Sequence, residues 1–500
     1  MANPEQVELL KQGAEAWNEW REKNPGVRVD LSDTDLRAHD LSWANLQDAI
    51  MSRVNFCNGK MCYAMLDRAV LCDADLQGAD LSGSDFAKAN LEKANLDGAQ
   101  LQEASFSWAK LQGARLHGIN APDARFLDAD LGGAILTEAI LPRAQFHRAK
   151  LINAKLMKAS LGEAIFSAAD LTAADLSDAH LEGADFSDAH LLWATLRDSH
   201  LQDAKLGGSF LKDATLTRAD LTDANLCAAN LTNADLNDAT LLRANLSDAN
   251  LHGTHLVGAH LQRAKLEGAL LVETDFTGAD LSDCSVFGVS VWKAQLARAT
   301  QTNLLITDFN EPAVRVDNLE VAQFVYLLLN HKKLRDIITT VGERGVLLLG
   351  RFIPERKVIL DAIADKLREL GYLPFQFDFA PIPDRDYTET IMTMASLSKF
   401  VIADITQPKS VPQETQAIVP NFKIPFVRII QEGEPPWSMA GDLDTFPWVI
   451  KQVLRYQDKD HLVANLKVLI DLAEAVHQQL TRQKAQHVVE TISIDQVVNS

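Results

Sequence analysis

Two carboxylates ten residues apart, Asp404 and Glu414, are the side chains of this chain best placed to do chemistry. Asp404 closes the apolar run KFVIADI (399–405), and Glu414 follows near the start of a short helical stretch, Val411–Ile418. An apolar run of that length reads as a strand buried on both faces, so its last residue reaches the carboxyl edge of a sheet. A second such run, GVLLLG (345–350), brings Gly350 and Arg351 to the same edge. Gly350 lets a ligand approach the backbone, Arg351 offers a guanidinium to a phosphate, and the two carboxylates would face a ribose. Phe352, Asp378 and Ser410 complete the expected ligand-binding set, with Asp404 and Glu414 as the candidate catalytic pair. Plainer roles fit the same residues. Asp404 can cap the following turn, and Glu414 can be a first-turn carboxylate favoured by the helix dipole. Arg351 can pair with a nearby acid, and Asp378, Asp384, Arg385 and Asp386 can form a local ion-pair network.

The elements that must position these residues alternate from Gly345 onward. Pro354 suits a first helical position, ERKVILDAIADKLREL follows with helical spacing, and Gly371 stops it. YLPFQFDF (372–379) is a second strand, Asp386–Ser398 a helix, KFVIADI the third strand and IPFVRII (424–430) a fourth. A last helix runs from about Leu462 to Gln483. Such alternation predicts a parallel sheet with helices on both faces, a flavodoxin-like α/β domain over 343–500. Ligands of open sheets bind where strand order reverses, here between the first and third strands.

Most of the chain has a different rhythm. Among the 54 positions ending in 1 or 6 from Leu31 to Leu296, Leu fills 41, and two residues earlier Ala fills 41 of 54. A period of five fits neither a helix nor a flat strand, because both would scatter the Leu series over several faces. A chain that turns a corner every five residues buries them all. Phe86, Phe106, Phe126, Phe146, Phe166 and Phe186 add a second period of 20, as do Pro122 and Pro142. Four repeats per coil would stack those rings in one column. Pro4 to about Asn24, within an N-terminal cap over 1–28, places Val7, Leu10, Ala14 and Trp17 on one helical face with Trp20 beside them. The repeats occupy 29–300. Residues 301–342, with one amphipathic helix over Leu319–Ile338, read as a segment that docks the repeats to the α/β domain. Val54 with Gly59, and Ile119 to Pro122, break the pattern, as a bulge or a partner patch would.

The plain units ADL (79–81), ANL (94–96) and ADL (219–221) resemble the pentapeptide-repeat family. That resemblance implies a right-handed quadrilateral parallel β-helix of about 13 coils, roughly 60 Å long at the spacing of strand pairing. GVLLLG, FVIADIT and SVPQE together are similar to the Toll/interleukin-receptor (TIR) domain and the related nucleoside deoxyribosyltransferases. In enzymatic members of both groups a Glu at the place of Glu414 acts at the anomeric carbon of a ribosyl group, the logic of glycoside cleavage. LLLGRF departs from the usual Ser/Tyr-rich end of the TIR first strand. GRFIPERK with DFAPIPDRDYTET also looks like a C-terminal module of bacterial pentapeptide-repeat proteins.

The net charge is −20, of which −14 falls between Asp30 and Thr300. An acidic surface argues against direct nucleic-acid binding, which draws on Lys and Arg, but leaves a DNA mimic acting on a topoisomerase open. Basic residues at Arg143, Arg148, Lys150, Lys155 and Lys158 interrupt any uniform acidic stripe. No stretch approaches the roughly 20 apolar residues of a membrane helix, and MANPEQVELLKQ has no basic-then-apolar leader. Five cysteines, an odd number, favour reduced thiols, so a cytoplasmic protein is expected. His180, His200 and His260 share one outward column, with His190 on another face. Paired His on neighbouring coils can bind a metal, but outward His is read as solvated surface, so no metal site is expected. No tightly bound cofactor is expected either, and NAD or another nucleotide is the candidate substrate. The expected function is a bacterial scaffold, signalling or defence-type protein whose rigid rod carries a nucleotide-binding or NAD-cleaving domain. The alternative is a non-catalytic module that binds protein partners or itself.

Overall fold

In the computed structural model, residues 2–308, 311, 313–351, 353–376, 388–407, 411–435 and 441–485 are described. The chain divides into two compact units, Met1–Leu329 and Asn330–Ser500.

The first unit is a parallel β-solenoid with four repeats per coil. Residues 20 apart pair in parallel along its length, from Asp30 with Ile50 to Ser285 with Leu305. One repeat, Leu171–Asp175, shows why five residues suffice. The Leu171 N–H donates to His190 O (2.7 Å), Ala173 to Leu192 O (2.8 Å) and Asp175 to Ala154 O (2.9 Å), all in neighbouring coils. Ala174 closes the corner on Leu171 O (2.9 Å), and the remaining N–H, of Thr172, donates to Asp170 Oδ1 (3.1 Å). Every amide of the repeat is satisfied, as burial of backbone demands. Where Asp or Asn precedes the Leu it is thus a turn residue, because its side chain accepts the one N–H that no backbone carbonyl takes. The third residue of each repeat is left-handed, for example Asp48 (φ 58°), Asp178 (φ 56°) and Asn233 (φ 56°). Asp and Asn tolerate that region better than most L-residues, for which it costs roughly 1–2 kcal/mol.

The inward Leu and Ala positions form one continuous core. The six Phe rings from Phe86 to Phe186 stack face to face, with centroids 4.8–5.1 Å apart and planes within 5°. The pattern breaks are neither bulges nor gaps in the core. A Cβ on Gly59 would lie 2.4 Å from the Phe56 ring, so Gly makes room for Phe in a Leu position. At 119–121 the sizes are exchanged: Ile119 stands in the small position and Ala121 in the large one, both fully buried. The swap roughly conserves volume, which cores tolerate best.

Both ends of the solenoid are covered. The helices α1 (Pro4–Leu10) and α2 (Ala14–Lys23) separate at Gly13, whose φ of 109° a side chain would strain. They bury Val7, Leu10 and Trp17 on the first coil. Their polar side chains replace the missing coil: Gln6 bonds Arg28 O and the Asp30 N–H, Asn18 bonds Trp43 O and the Asn45 N–H, and Trp17 Nε1 donates to Asn45 O (2.8 Å). At the far end the parallel pair β1 (Leu270–Val272) and β2 (Ser290–Trp292) gives way to an antiparallel one, β3 (Leu304–Leu305) with β4 (Arg315–Val316). The helix α3 (Leu319–Asn330) buries Leu319 and Ala322 there, and its Gln323 accepts the Val291 N–H (2.9 Å). The segment 301–342 is therefore not one linker. Its helical stretch is two helices interrupted at His331, and the second, α4 (Lys332–Arg344), belongs to the second unit.

That unit is an α/β domain with a five-stranded sheet, β5 (Gly345–Leu349), β6 (Leu373–Gln376), β7 (Phe400–Asp404), β8 (Phe426–Gln431) and β9 (Leu454–Tyr456). The spatial order is β6-β5-β7-β8-β9, and every pairing is parallel. One face packs α5 (Pro354–Glu369) and α8 (Lys459–Ala485), the other α6 (Thr388–Ser396) and α7 (Val411–Ile418). At the sheet's amino end Lys399 Nζ donates to Glu474 Oε1 of α8 (2.6 Å), as does the Tyr372 hydroxyl.

Two outcomes test this packing. Phe126→Ala leaves a cavity between two stacked rings and is expected to cost about 3–5 kcal/mol in denaturant unfolding. The ammonium of Lys399, then the Tyr372 hydroxyl, hold the Glu474 carboxyl below its ordinary range. A carboxyl lowered on folding stabilises above its unfolded pKa and loses that contribution as pH falls through its folded one. Because the pair is partly exposed, Glu474→Gln should destabilise by only about 1 kcal/mol at pH 7, and the difference from wild type should shrink as pH falls below the ordinary carboxylate range.

The carboxyl edge of the α/β sheet as candidate functional site

The strand ends of the second unit converge on a buried polar network. Asp404, the last residue of β7, is 2% exposed. Its Oδ1 accepts from the Thr406 N–H (3.0 Å) and hydroxyl (2.6 Å), and its Oδ2 accepts from the Tyr456 hydroxyl (3.1 Å). Arg356, buried in the first turn of α5, stands 3.9 Å from Asp404 Oδ2. It donates to the Tyr456 hydroxyl and to Gln431 Oε1, each at 2.9 Å. The Gln431 N–H closes the circuit on Thr406 Oγ1 (2.9 Å). Burial, then the neighbouring Asp404 charge, push the Tyr456 phenol up to about 12, so it remains a donor at neutral pH. The network ties β7, β8, β9 and α5 together. It does so with its charges paired and hydrogen-bonded, as a buried Arg and Asp require.

The expected site residues fare differently. Asp404 reaches the predicted edge and also caps the turn after it. Gly350 follows β5, where a Cβ would come within 2.9 Å of the Leu360 side chain, so packing of α5 accounts for its lack of a side chain. Arg351 is half-buried beside it, and Glu414 is half-buried in the first turn of α7. Phe352, Asp378 and Ser410 lie outside the described residues. Sequence reasoning missed Arg356, Thr406, Gln431 and Tyr456. Arg356 had a signal, since it is a cation in the first turn of a helix that leaves the first strand, where the dipole disfavours it. Tyr456 had none, because β9 is three residues long.

Two cavities flank the sheet. One of about 160 Å³ adjoins Tyr456 and is lined by Ile429, Leu454, Arg455, His461 and Leu462 among others. The other, about 520 Å³, opens at the amino edge beside Arg344, Tyr372, Lys399 and His477. Among the described residues, His180, Glu182 and His200 of the solenoid are a group whose donor atoms lie close enough to share a metal ion. No described helix is long and apolar enough to cross a membrane.

Models of pentapeptide repeats match residues 27–137 and 228–290, and a model of a pentapeptide repeat region matches 139–216, together about half of the chain. No curated protein matches the sequence. Among solved structures, HetL of the cyanobacterium Nostoc sp., a pentapeptide repeat protein involved in heterocyst differentiation regulation, is 27% identical. That match covers 58% of this chain and 96% of HetL, with a TM-score of 0.17. QnrB1, a plasmid-mediated fluoroquinolone resistance protein, is 16% identical over 43% of this chain and 88% of its own, with a TM-score of 0.25. Rfr23, a pentapeptide repeat protein of the cyanobacterium Cyanothece, is 41% identical over 18% of this chain and 58% of its own, with a TM-score of 0.14. With four repeats to each coil from Asp30 to Leu305, and family matches spread along that same stretch, the chain belongs to the pentapeptide-repeat proteins.

Proposed function

We propose that this protein is a non-catalytic scaffold whose solenoid binds other proteins and whose C-terminal domain, flavodoxin-like in its strand order, is a second recognition module. The observation that carries this reading is the closed network at the strand ends. Asp404, one of the two candidate carboxylates, is 2% exposed and both its oxygens accept hydrogen bonds from its own chain, so it serves the fold and leaves Glu414 alone as a carboxylate for an anomeric carbon. Arg356, 3.9 Å from Asp404, donates to Tyr456 and Gln431. The solenoid adds solvent-exposed indoles at Trp43, Trp108, Trp193 and Trp292, each more than half exposed. Trp is the residue type most enriched among binding hot spots.

The enzymatic reading, a TIR-like or deoxyribosyltransferase-like domain acting on the N-glycosidic bond of NAD or a nucleoside, draws support from Glu414 in the first turn of α7. The DNA-mimic reading has less. Arg53, Arg143, Arg148, Arg218 and Arg243 each pair with an Asp one coil away and so break up an acidic stripe.

Nicotinamide release from NAD by the full chain separates the first two readings. The scaffold reading expects no release above a protein-free blank, from wild type and from Glu414→Ala alike. Release by wild type that Glu414→Ala abolishes would replace it with the enzymatic one. Asp404→Asn is expected to lower the stability of the second unit by about 3 kcal/mol, as loss of a buried charge partner does, read by denaturant unfolding.

A further inference from the structure

We propose that His180, Glu182 and His200 form a surface site for a first-row transition-metal ion, with Zn²⁺ the fitting physiological candidate. His180 and His200 occupy equivalent positions on adjacent coils and pair with each other in parallel. Their backbones are fixed on both sides: the His180 N–H donates to Ala159 O and the His200 N–H to Ala179 O, each at 2.9 Å, while His200 O accepts from Leu181 N (2.7 Å). The two imidazoles stack at 4.8 Å with planes 5° apart. Glu182 completes the group, with Oε1 3.3 Å from His180 Nδ1. One donor atom from each of the three lies within 4.8 Å of the others.

This is a metal-ligand constellation rather than a chance surface pair, for three reasons. Two imidazoles and a carboxylate are the donor set of zinc sites that keep a fourth position open. Donors around a tetrahedral zinc stand roughly 3.3 Å apart, given bonds of about 2.0 Å. The His180–Glu182 pair is already at that separation, and a His200 ring nitrogen lies within 4.8 Å of both. His180 and Glu182 are about half exposed, so their side chains are free to adjust around an ion. The backbone, by contrast, does not have to move, so little ordering cost accompanies binding. Imidazole donors select Zn²⁺, Ni²⁺ or Cu²⁺ over Mg²⁺ and Ca²⁺, which take oxygen. Asp220, the next residue down the column, does not compete for the ion, because its carboxylate already accepts from Gln202 and Thr222. His260 lies in the same column but three coils beyond His200, with Asp220 and Thr240 between them. The ion would keep one position for water or for a side chain of a bound protein.

Four of the five thiols are poor competitors. Burial raises the pKa of Cys57 to about 11 and of Cys284 to about 12, and pushes Cys62 and Cys72 up as well, so these groups stay protonated at neutral pH.

Calorimetric titration of the full chain with Zn²⁺, and separately with Ni²⁺, tests the assignment. Wild type should bind one ion per chain. Loss of a direct ligand should cost at least the roughly 10–100-fold that even outer-shell changes cost, so His180→Ala and His200→Ala should each weaken binding tenfold or more. Both positions are on the surface, so the metal-free melting temperature should not change. His260→Ala should bind as wild type does. Absence of binding by wild type at millimolar ion overturns the proposal. So does unchanged affinity in the His180→Ala/His200→Ala double variant, or an equal loss in His260→Ala.

Discussion

Four of every five backbone amides of the solenoid bond to the neighbouring coil or close their own corner, and the fold depends on that parallel stacking. Coils stacked in parallel take up three N–H groups of each repeat, and the corner takes a fourth. Where Asp or Asn precedes the Leu, its side chain accepts the fifth, as Asp170 does for Thr172 and Asp175 for Ser177, whereas repeats with Ile140, Lys150 or Phe210 there have no such acceptor. The inward Leu and Ala follow from the corner, which recurs every five residues and returns the same positions to the axis. The left-handed third residue is the cost of the corner. Where that residue is Arg facing an Asp one coil earlier, as at Arg53 and Arg218, a bidentate pair sits over the corner. These pairs are exposed, so their contribution is small.

The ends pose the opposite problem. A terminal coil has amides and carbonyls but no neighbour, and an open edge invites pairing with other chains. The two ends solve this with different chemistry. At the amino end, amide and indole side chains of α1 and α2 stand in for strands. At the carboxyl end an antiparallel pair breaks the parallel register, and α3 covers the last coil. The α/β unit shows the same economy, since Asp404, Thr406 and Tyr456 satisfy at their strand ends what would otherwise face outward.

Legibility in the sequence tracked how strictly each feature repeats. The coil of four repeats and the Phe column could be read directly, because a period leaves many independent witnesses. Four strands of the α/β sheet were readable from apolar runs, three of them because a strand buried on both faces admits little else, while Leu373–Gln376 is an edge strand with no fully buried residue. The fifth strand was not, because Leu454–Tyr456 is too short to carry a pattern. The helix over 319–338 misled for a related reason: apolar spacing continues through His331, while the break is set by packing on two different bodies. At the candidate site the carboxylate was visible but its partners were not. Thr406 is near in sequence, yet Arg356, Gln431 and Tyr456 arrive from three other elements, and nothing local announces where such residues meet. The exchange of Ile119 with Ala121 is similar. It looks like a fault in one dimension and is a conserved volume in three.

The stacking of equivalent positions also fixes what changes of length the rod can absorb. Gain or loss of a whole coil keeps every inward column intact and alters only reach. Gain or loss of a single repeat keeps each residue's inward or outward sense but turns everything beyond it by a quarter revolution. Phe146 would then no longer meet Phe126, and Arg143 would lose Asp123. The molecule can therefore be lengthened smoothly in one unit and scrambled by a quarter of that unit, so its surface features are addressed by count along the chain as much as by the residues that make them.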